Sequence, residues 1–275
     1  MQPRTITLVI LNIMAVAAIC FLLGIIAIAS SKRDRKQSTY EKVRTRSTLA
    51  SIGSPTPVDW SNRTLVVDSL YQTMKDVHDV LTYTGVGYVI DSGTLLGAVR
   101  NKGLIPNDDD LDIRVSSEDR ALLVKTAFPR LHELGYETSD FFFGYKVFPS
   151  NGKAFPANGN KYKFPFLDIF ITSINRGRTE TQNDFWPNCY FTEAEYLPTK
   201  VYDFGPLRLF GPASSKEYFD RCYGSDWNEV TYKQSDYSMD TSLEIVKVAL
   251  TEESRQPSLP SKPLRDSTYS RILQD

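Results

Sequence analysis

The chain has 275 residues, 41% hydrophobic and 24% charged, and its 32 Lys+Arg against 33 Asp+Glu give a formal charge of −1. With Gly and Pro at 15 each and Cys at only 3, this composition excludes a wholly disordered chain, a collagen-like repeat and a disulfide-rich mini-protein. The near-neutral balance gives no hint of a nucleic-acid partner, and none is expected.

After a short tail (1–4), residues 5–29 carry no formal charge. As a helix this run would be ~37 Å long at ~1.5 Å per residue, enough to cross a ~30 Å hydrocarbon core. A cleavable signal peptide ending at Ala27-Ile-Ala29 is the rival, but its apolar region is usually only ~7–15 residues, so an uncleaved transmembrane anchor is preferred. Residues 30–57 read as a basic stem, with +5 between Lys32 and Arg46 and −7 left for residues 47–275. By themselves these charges favour the cytoplasm. Against them stands Asn62-Arg63-Thr64, the single N-glycosylation sequon, which is usable only in the secretory lumen.

A globular domain is expected over 58–228. Val66, Leu70, Met74, Val77 and Leu81 recur every three or four residues, which predicts an amphipathic helix over Thr64–Tyr83, ended at Gly85-Val86-Gly87. Tyr88–Ile90 predicts a strand, Leu95–Arg100 a short helix and Leu111–Val115 a second strand. A helix follows, with Ser116 and Asp119 patterned as a capping box, Pro129 expected to kink or split it and Gly135 past its end. Tyr136–Phe148 predicts one or two aromatic strands, Phe164–Thr172 another strand and Ser214–Tyr223 a short helix. Residues 229–275 are polar and read as a partly disordered tail. Helices and strands are mixed, so the class is α/β or α+β.

The chemistry concentrates in two segments. Asp108, Asp109, Asp110 and Asp112 crowd five positions. On a strand, Asp110 and Asp112 leave on one face while Leu111 and Ile113 enter the core, and Asp108 adds a third oxygen as the loop joins the strand. Hard oxygen ligands in this pattern suit Mg²⁺ or Mn²⁺ rather than zinc. An EF-hand fails because Ile113 stands where its loop requires Gly. The Gly93-Thr94 turn, 16 residues before the Asp-x-Asp strand, is a candidate phosphate cradle, with Arg100 and Lys102 as neutralising cations. A single carboxylate, Asp168, sits inside the otherwise apolar Phe164–Phe170 run and must be paired, protonated or metal-bound. Lys146 and Arg208 are further candidate anion contacts. His78 and His132 carry no motif, and Cys189 and Cys222 could pair in an oxidising compartment.

The run GTLLGAVRNKGLIPNDDDLDI, the later FPFLDIF and the terminal YGSDW together resemble the LicD family of phosphotransferases, from about Leu65 to Trp227. That family includes bacterial phosphocholine transferases and the animal proteins fukutin and fukutin-related protein. The resemblance implies a nucleotidyltransferase-like mixed sheet flanked by helices. It also implies transfer of a phospho-alcohol from a CDP-activated donor to a glycan hydroxyl on a glycoprotein or glycolipid. By the same resemblance Asp108, Asp110, Asp112 and Asp168 are the metal and catalytic carboxylates, and Gly93 and Thr94 form the phosphate turn. Tyr223 and Trp227 match a packing motif. Asn107 departs from the Trp usual before the first Asp. The animal members imply a single-pass type II protein of the Golgi or ER with a lumenal domain. A nucleotide-sugar glycosyltransferase, which also uses Asp-x-Asp, and an inactive Golgi binding protein are the alternatives.

Overall fold

The computed structural model describes residues 58–155, 161–182, 186–236 and 241–274. The expected anchor (5–29) and stem (30–57) lie outside the described residues. Among the described residues no helix is long and apolar enough to cross a membrane.

Helix α1 (Arg63–Thr84) forms where the periodicity placed it. The Asn62 side chain caps its start by accepting the Thr64 N–H at 3.0 Å, and Gly85 ends it at φ 75°, the left-handed conformation that costs glycine little. Leu70, Met74, Val77, Val80 and Leu81 are all buried along one stripe. Each such side chain contributes about 1.5–3 kcal/mol by leaving water.

The stripe packs on a six-stranded mixed sheet built from β1 (Tyr88–Ile90), β2 (Asp110–Ser116), β3 (Tyr136–Phe141), β4 (Gly144–Pro149), β7 (Phe166–Asn175) and β8 (Arg178–Thr181). The order is β1-β2-β7-β4-β3, with β8 on the far end of β7. Only β2 and β7 run parallel. Gly144 is required where β4 meets β7, because a Cβ there would lie 2.2 Å from the Ile169 carbonyl oxygen. Two short strands, β5 (Lys153–Ala154) and β6 (Lys163–Phe164), form a separate ladder, so the strand expected from Phe164 begins at Phe166. Leu111, Ile113 and Val115 from β2 and Leu167, Ile169 and Ile171 from β7 fill the core beneath α1.

Between β1 and β2 the chain makes the five-residue α2 (Ser92–Leu96) and a π-helical turn (Gly97–Asn101). After β2 the expected helix is split into α3 (Arg120–Leu122), a π-helical turn (Leu123–Ala127) and α4 (Phe128–Glu133), with Pro129 in the first turn of α4. Proline supplies no N–H and its ring crowds the preceding turn, which the wider turn accommodates. The expected capping box does not form. The Ser116 hydroxyl accepts instead from Glu118 N–H at 3.2 Å, and Asp119 Oδ2 accepts from Gly87 N–H at 3.3 Å.

Beyond the sheet lie α5 (Glu193–Tyr196), the hairpin β9 (Lys200–Phe204) with β10 (Leu207–Gly211), and α6 (Lys216–Cys222), near the expected short helix. Cys189 and Cys222 are disulfide-bonded, tying α6 to the segment before α5. The polar stretch after 229 contains regular structure. Its described residues form the hairpin β11 (Val230–Asp236) and β12 (Thr241–Ala249), then α7 (Glu252–Arg255) and α8 (Thr268–Gln274). The return path lies along α1, where Asp68 accepts from Ser261 N–H at 2.6 Å and from its hydroxyl at 2.7 Å, and Gln72 Oε1 accepts from Arg265 N–H at 2.8 Å. Tyr269 enters the core and Leu264 packs against it, so the segment is held by burial as well as by these hydrogen bonds.

Candidate functional site

Parallel register sets Asp110 beside Phe166, Asp112 beside Asp168 and Arg114 beside Phe170, while β4 places Lys146 on the other side of Asp168. One cross-strand row therefore reads Asp112, Asp168, Lys146, on the face opposite the core. Carboxylate oxygens of Asp110, Asp112 and Asp168 all lie within 4.8 Å of one another, and those of Asp108, Asp109 and Asp110 form a second such group. At that spacing two unit charges repel by about 3–4 kcal/mol at an effective dielectric near 20.

Burial raises the carboxyls of the cluster, and crowding adds to it for Asp108, Asp110 and Asp112. Asp108 is pushed up to about 7 by burial and then by Asp109, against the pull of Arg63. Asp110 and Asp112 stand well above the usual carboxylate range, through burial first and their acidic neighbours second. Burial also raises Asp168, opposed by Lys146, whose Nζ donates to both carboxylate oxygens at 2.6 and 2.9 Å. Carboxylates arranged this way resist ionisation until a cation joins them. The donor set is all oxygen, and the acidic cluster formed by Asp108–Asp112 and Asp168 can hold a metal ion. The histidines stand apart: His78 Nδ1 meets the Tyr88 hydroxyl at 2.7 Å and His132 Nε2 the Thr138 hydroxyl at 3.0 Å.

The Gly93 turn faces this cluster. A Cβ on Gly93 would lie 2.9 Å from Asp108 Oδ2 and 3.6 Å from Asp112 Oδ2, so glycine keeps open the space beside the carboxylates. The turn also acts on the strand. Gly93 N–H donates to Asp112 Oδ2 at 3.2 Å, and the buried Thr94 hydroxyl accepts Asp112 N–H at 2.8 Å. Thr94 thus positions Asp112 rather than presenting its hydroxyl to the cleft. Ser92 holds φ 43°, a conformation that costs a non-glycine residue about 1–3 kcal/mol and clusters at functional sites. Asn107 adopts φ 69° as the chain turns into Asp108, a geometry that asparagine tolerates well.

The remaining expected contacts are placed differently. Arg100 donates from Nη1 to the Trp227 and Val230 carbonyls at 2.9 and 3.1 Å and from Nε to Asn101 Oδ1 at 2.9 Å. It fastens the loop after Tyr-Gly-Ser-Asp-Trp, near enough to Asp108 for mutual attraction. Lys146 is buried against Asp168, out of reach of an incoming anion, and Arg208 lies exposed on β10, away from the row. No local pattern announces Arg63, whose Nη2 donates to the Asp108 carbonyl, or the pair of Asp91 with Arg114. A lone Lys in the aromatic run Phe141–Phe148 is the available signal for a buried partner of Asp168.

Comparison with known proteins gives this site a context. Residues 85–214 match the model of the LicD/FKTN/FKRP nucleotidyltransferase domain. The uncharacterized protein RP689 of Rickettsia prowazekii is 34% identical over 208 residues, 72% of each chain. The uncharacterized protein RT0683 of Rickettsia typhi is 34% identical over 204 residues, 72% of this chain and 60% of its own. The lipopolysaccharide cholinephosphotransferase LicD of Haemophilus influenzae is 36% identical over 93 residues, 31% of this chain and 35% of its own. The domain match covers Gly93, the acidic run and Asp168 together, and the chain belongs to the LicD/FKTN/FKRP nucleotidyltransferase domain family.

Proposed function

We propose that the domain transfers a phospho-alcohol, such as phosphocholine or ribitol phosphate, from a CDP-activated donor to a glycan hydroxyl. The observation that carries this reading is the convergence of Asp110, Asp112 and Asp168 on one sheet face, opposite a turn whose glycine leaves space beside them. Family membership and the partial similarity to a cholinephosphotransferase support it.

Asp110 and Asp112 would hold Mg²⁺ or Mn²⁺, with Asp108 and Asp168 completing the oxygen set. When bound, such an ion supplies Lewis-acid neutralisation of charge on the donor diphosphate and on the CMP leaving group. The chain itself positions the reactants. Gly93 admits the diphosphate next to Asp108 and Asp112, and Thr94 fixes Asp112 from behind. The acceptor oxygen forms the new bond to phosphorus as the bond to CMP breaks, and Asp168 takes the acceptor proton. Release of CMP from CDP-choline, CDP-ribitol, CDP-glycerol and CDP-ethanolamine tests the reading. UDP or GDP release from sugar nucleotides, with all four CDP compounds inert, would replace it with a glycosyltransferase.

The same reading places the domain in the Golgi or ER lumen behind an N-terminal anchor. Support comes from the exposed Asn62 of the sequon and from the Cys189–Cys222 disulfide, a bond favoured in oxidising compartments. Asn62 bearing an endoglycosidase-sensitive glycan in cells is the expected outcome. Digestion of the domain by protease added outside sealed vesicles would reverse the orientation.

A further inference from the structure

Lys146 is a charged side chain with only 3% of its surface exposed. Its Nζ touches both oxygens of Asp168, at 2.6 and 2.9 Å. The rest of its surroundings are aromatic: ring centroids of Phe166, Phe141, Tyr162 and Phe143 lie 3.7, 4.6, 4.8 and 5.4 Å from the nitrogen. Aromatic faces attract an ammonium without competing for its N–H groups, so the box holds the charge while leaving its hydrogen bonds for Asp168. With both oxygens on the one ammonium, the carboxylate is held at its head as well as through its own strand. Asp168 lies on the same cross-strand row as Asp112, so the orientation imposed by Lys146 decides how the Asp168 oxygens face the cluster.

We propose that Lys146 is a positioning residue that acts only through Asp168, locking that carboxylate into the orientation in which it completes the metal site with Asp110 and Asp112. The inference rests on the metal-site reading above and is independent of which donor or acceptor is used. Partners that orient a metal-ligating side chain from behind are worth about 10–100-fold in metal affinity. Lys146→Met keeps the length and suits an aromatic box but cannot hold the carboxylate. Lys146→Arg keeps a cation able to meet both oxygens.

The test is Mn²⁺ titration by calorimetry on the wild type, Lys146→Met, Lys146→Arg, Asp168→Asn and the Lys146→Met/Asp168→Asn double variant, each checked for cooperative thermal unfolding. Lys146→Met should weaken Mn²⁺ binding by about tenfold or more. Lys146→Arg should recover part of that loss, and the double variant should bind no more weakly than Asp168→Asn alone. Unchanged or tighter binding in Lys146→Met overturns the proposal, as do losses that add in the double variant. Should Lys146→Met not fold, the Lys146→Arg titration decides: affinity near that of Asp168→Asn overturns the proposal, and affinity between it and the wild type sustains it. A wild type that binds no Mn²⁺ overturns the metal-site reading itself, a result distinct from the others.

Discussion

Asp91 and Asp112 sit one backbone hydrogen bond apart, with Asp91 N–H donating to the Asp112 carbonyl at 3.0 Å, yet the protein treats their carboxylates in opposite ways. Asp91 is 1% exposed and fully provided for. Arg114 Nε donates to it at 2.6 Å and the Tyr218 hydroxyl at 2.9 Å. Arg114 is itself held by the Cys189 carbonyl and lies over the Phe191 and Tyr218 rings. Asp112 receives Gly93 N–H but, among the described residues, no cation of its own, while Asp110, Asp108 and Asp168 crowd it. Both Arg114 and Asp112 leave the same face of β2. A carboxylate neutralised inside the fold is architecture. A group of carboxylates with one buried lysine among them can take a cation from outside.

That contrast can be broken from either side. Asp110→Ala or Asp112→Ala should abolish transfer and Mn²⁺ binding while the metal-free domain melts no lower than wild type, because like-charge repulsion is relieved. CMP release together with a thermal melt checks this, and retained transfer in both variants would remove the cluster from the mechanism. Arg114→Met should do the reverse. Leaving Asp91 buried without its partner costs about 3–5 kcal/mol of stability, measurable by urea unfolding. A loss below about 1 kcal/mol would mean the pair is not structural.

Gly93→Ala probes the boundary between the two regions. Its Cβ would stand 2.9 Å from Asp108 Oδ2, so Mn²⁺ affinity should fall about tenfold, read by calorimetry, with a smaller effect on the melt. Thr94→Val removes the acceptor for Asp112 N–H and should destabilise by about 1–3 kcal/mol in the same unfolding assay.

The gentlest probe is pH. Asp108 is pushed up to about 7, against ~3.9 in the unfolded chain. A raised carboxyl favours the folded state fully below the unfolded value, and that contribution is lost as pH rises through the folded one. The metal-free domain should therefore melt lower at pH 8 than at pH 5, and Mn²⁺ should raise the melting temperature more at pH 8. A metal-free melting temperature that climbs over this range would contradict the crowding.

Much of the fold is legible in local sequence pattern. Helix α1 follows from its stripe, and β2 announces itself by alternation. Asp168 stands out as one carboxylate in an apolar strand. The π-helical turn ahead of Pro129 follows from proline chemistry. Less legible are features that depend on distant partners. Ser116 and Asp119 match a capping box locally, but Gly87, brought near by β1, offers Asp119 a different bond. Arg100 reads as a cation for a phosphate, and nothing local shows that the Trp227 and Val230 carbonyls also accept from it. Lys146 reads as an anion contact because nothing local shows that β4 lies against β7 in register with Asp168.

The sequence by itself determined helix α1 and strands β1 and β2, and for α1 and β2 which face would be polar, since strand and helix periodicity are local consequences of backbone geometry. It also determined that the acidic run concentrates like charge, because four aspartates in five positions repel wherever they lie. Tertiary structure alone decided which carboxylates are satisfied and which are not. That choice depends on strand order and register, which bring Arg114 to Asp91, Lys146 to Asp168 and, among the described residues, no further cation to Asp110 and Asp112. Charge pairing acts over a few ångströms, and only the folded sheet brings residues 91, 112, 146 and 168 within that range.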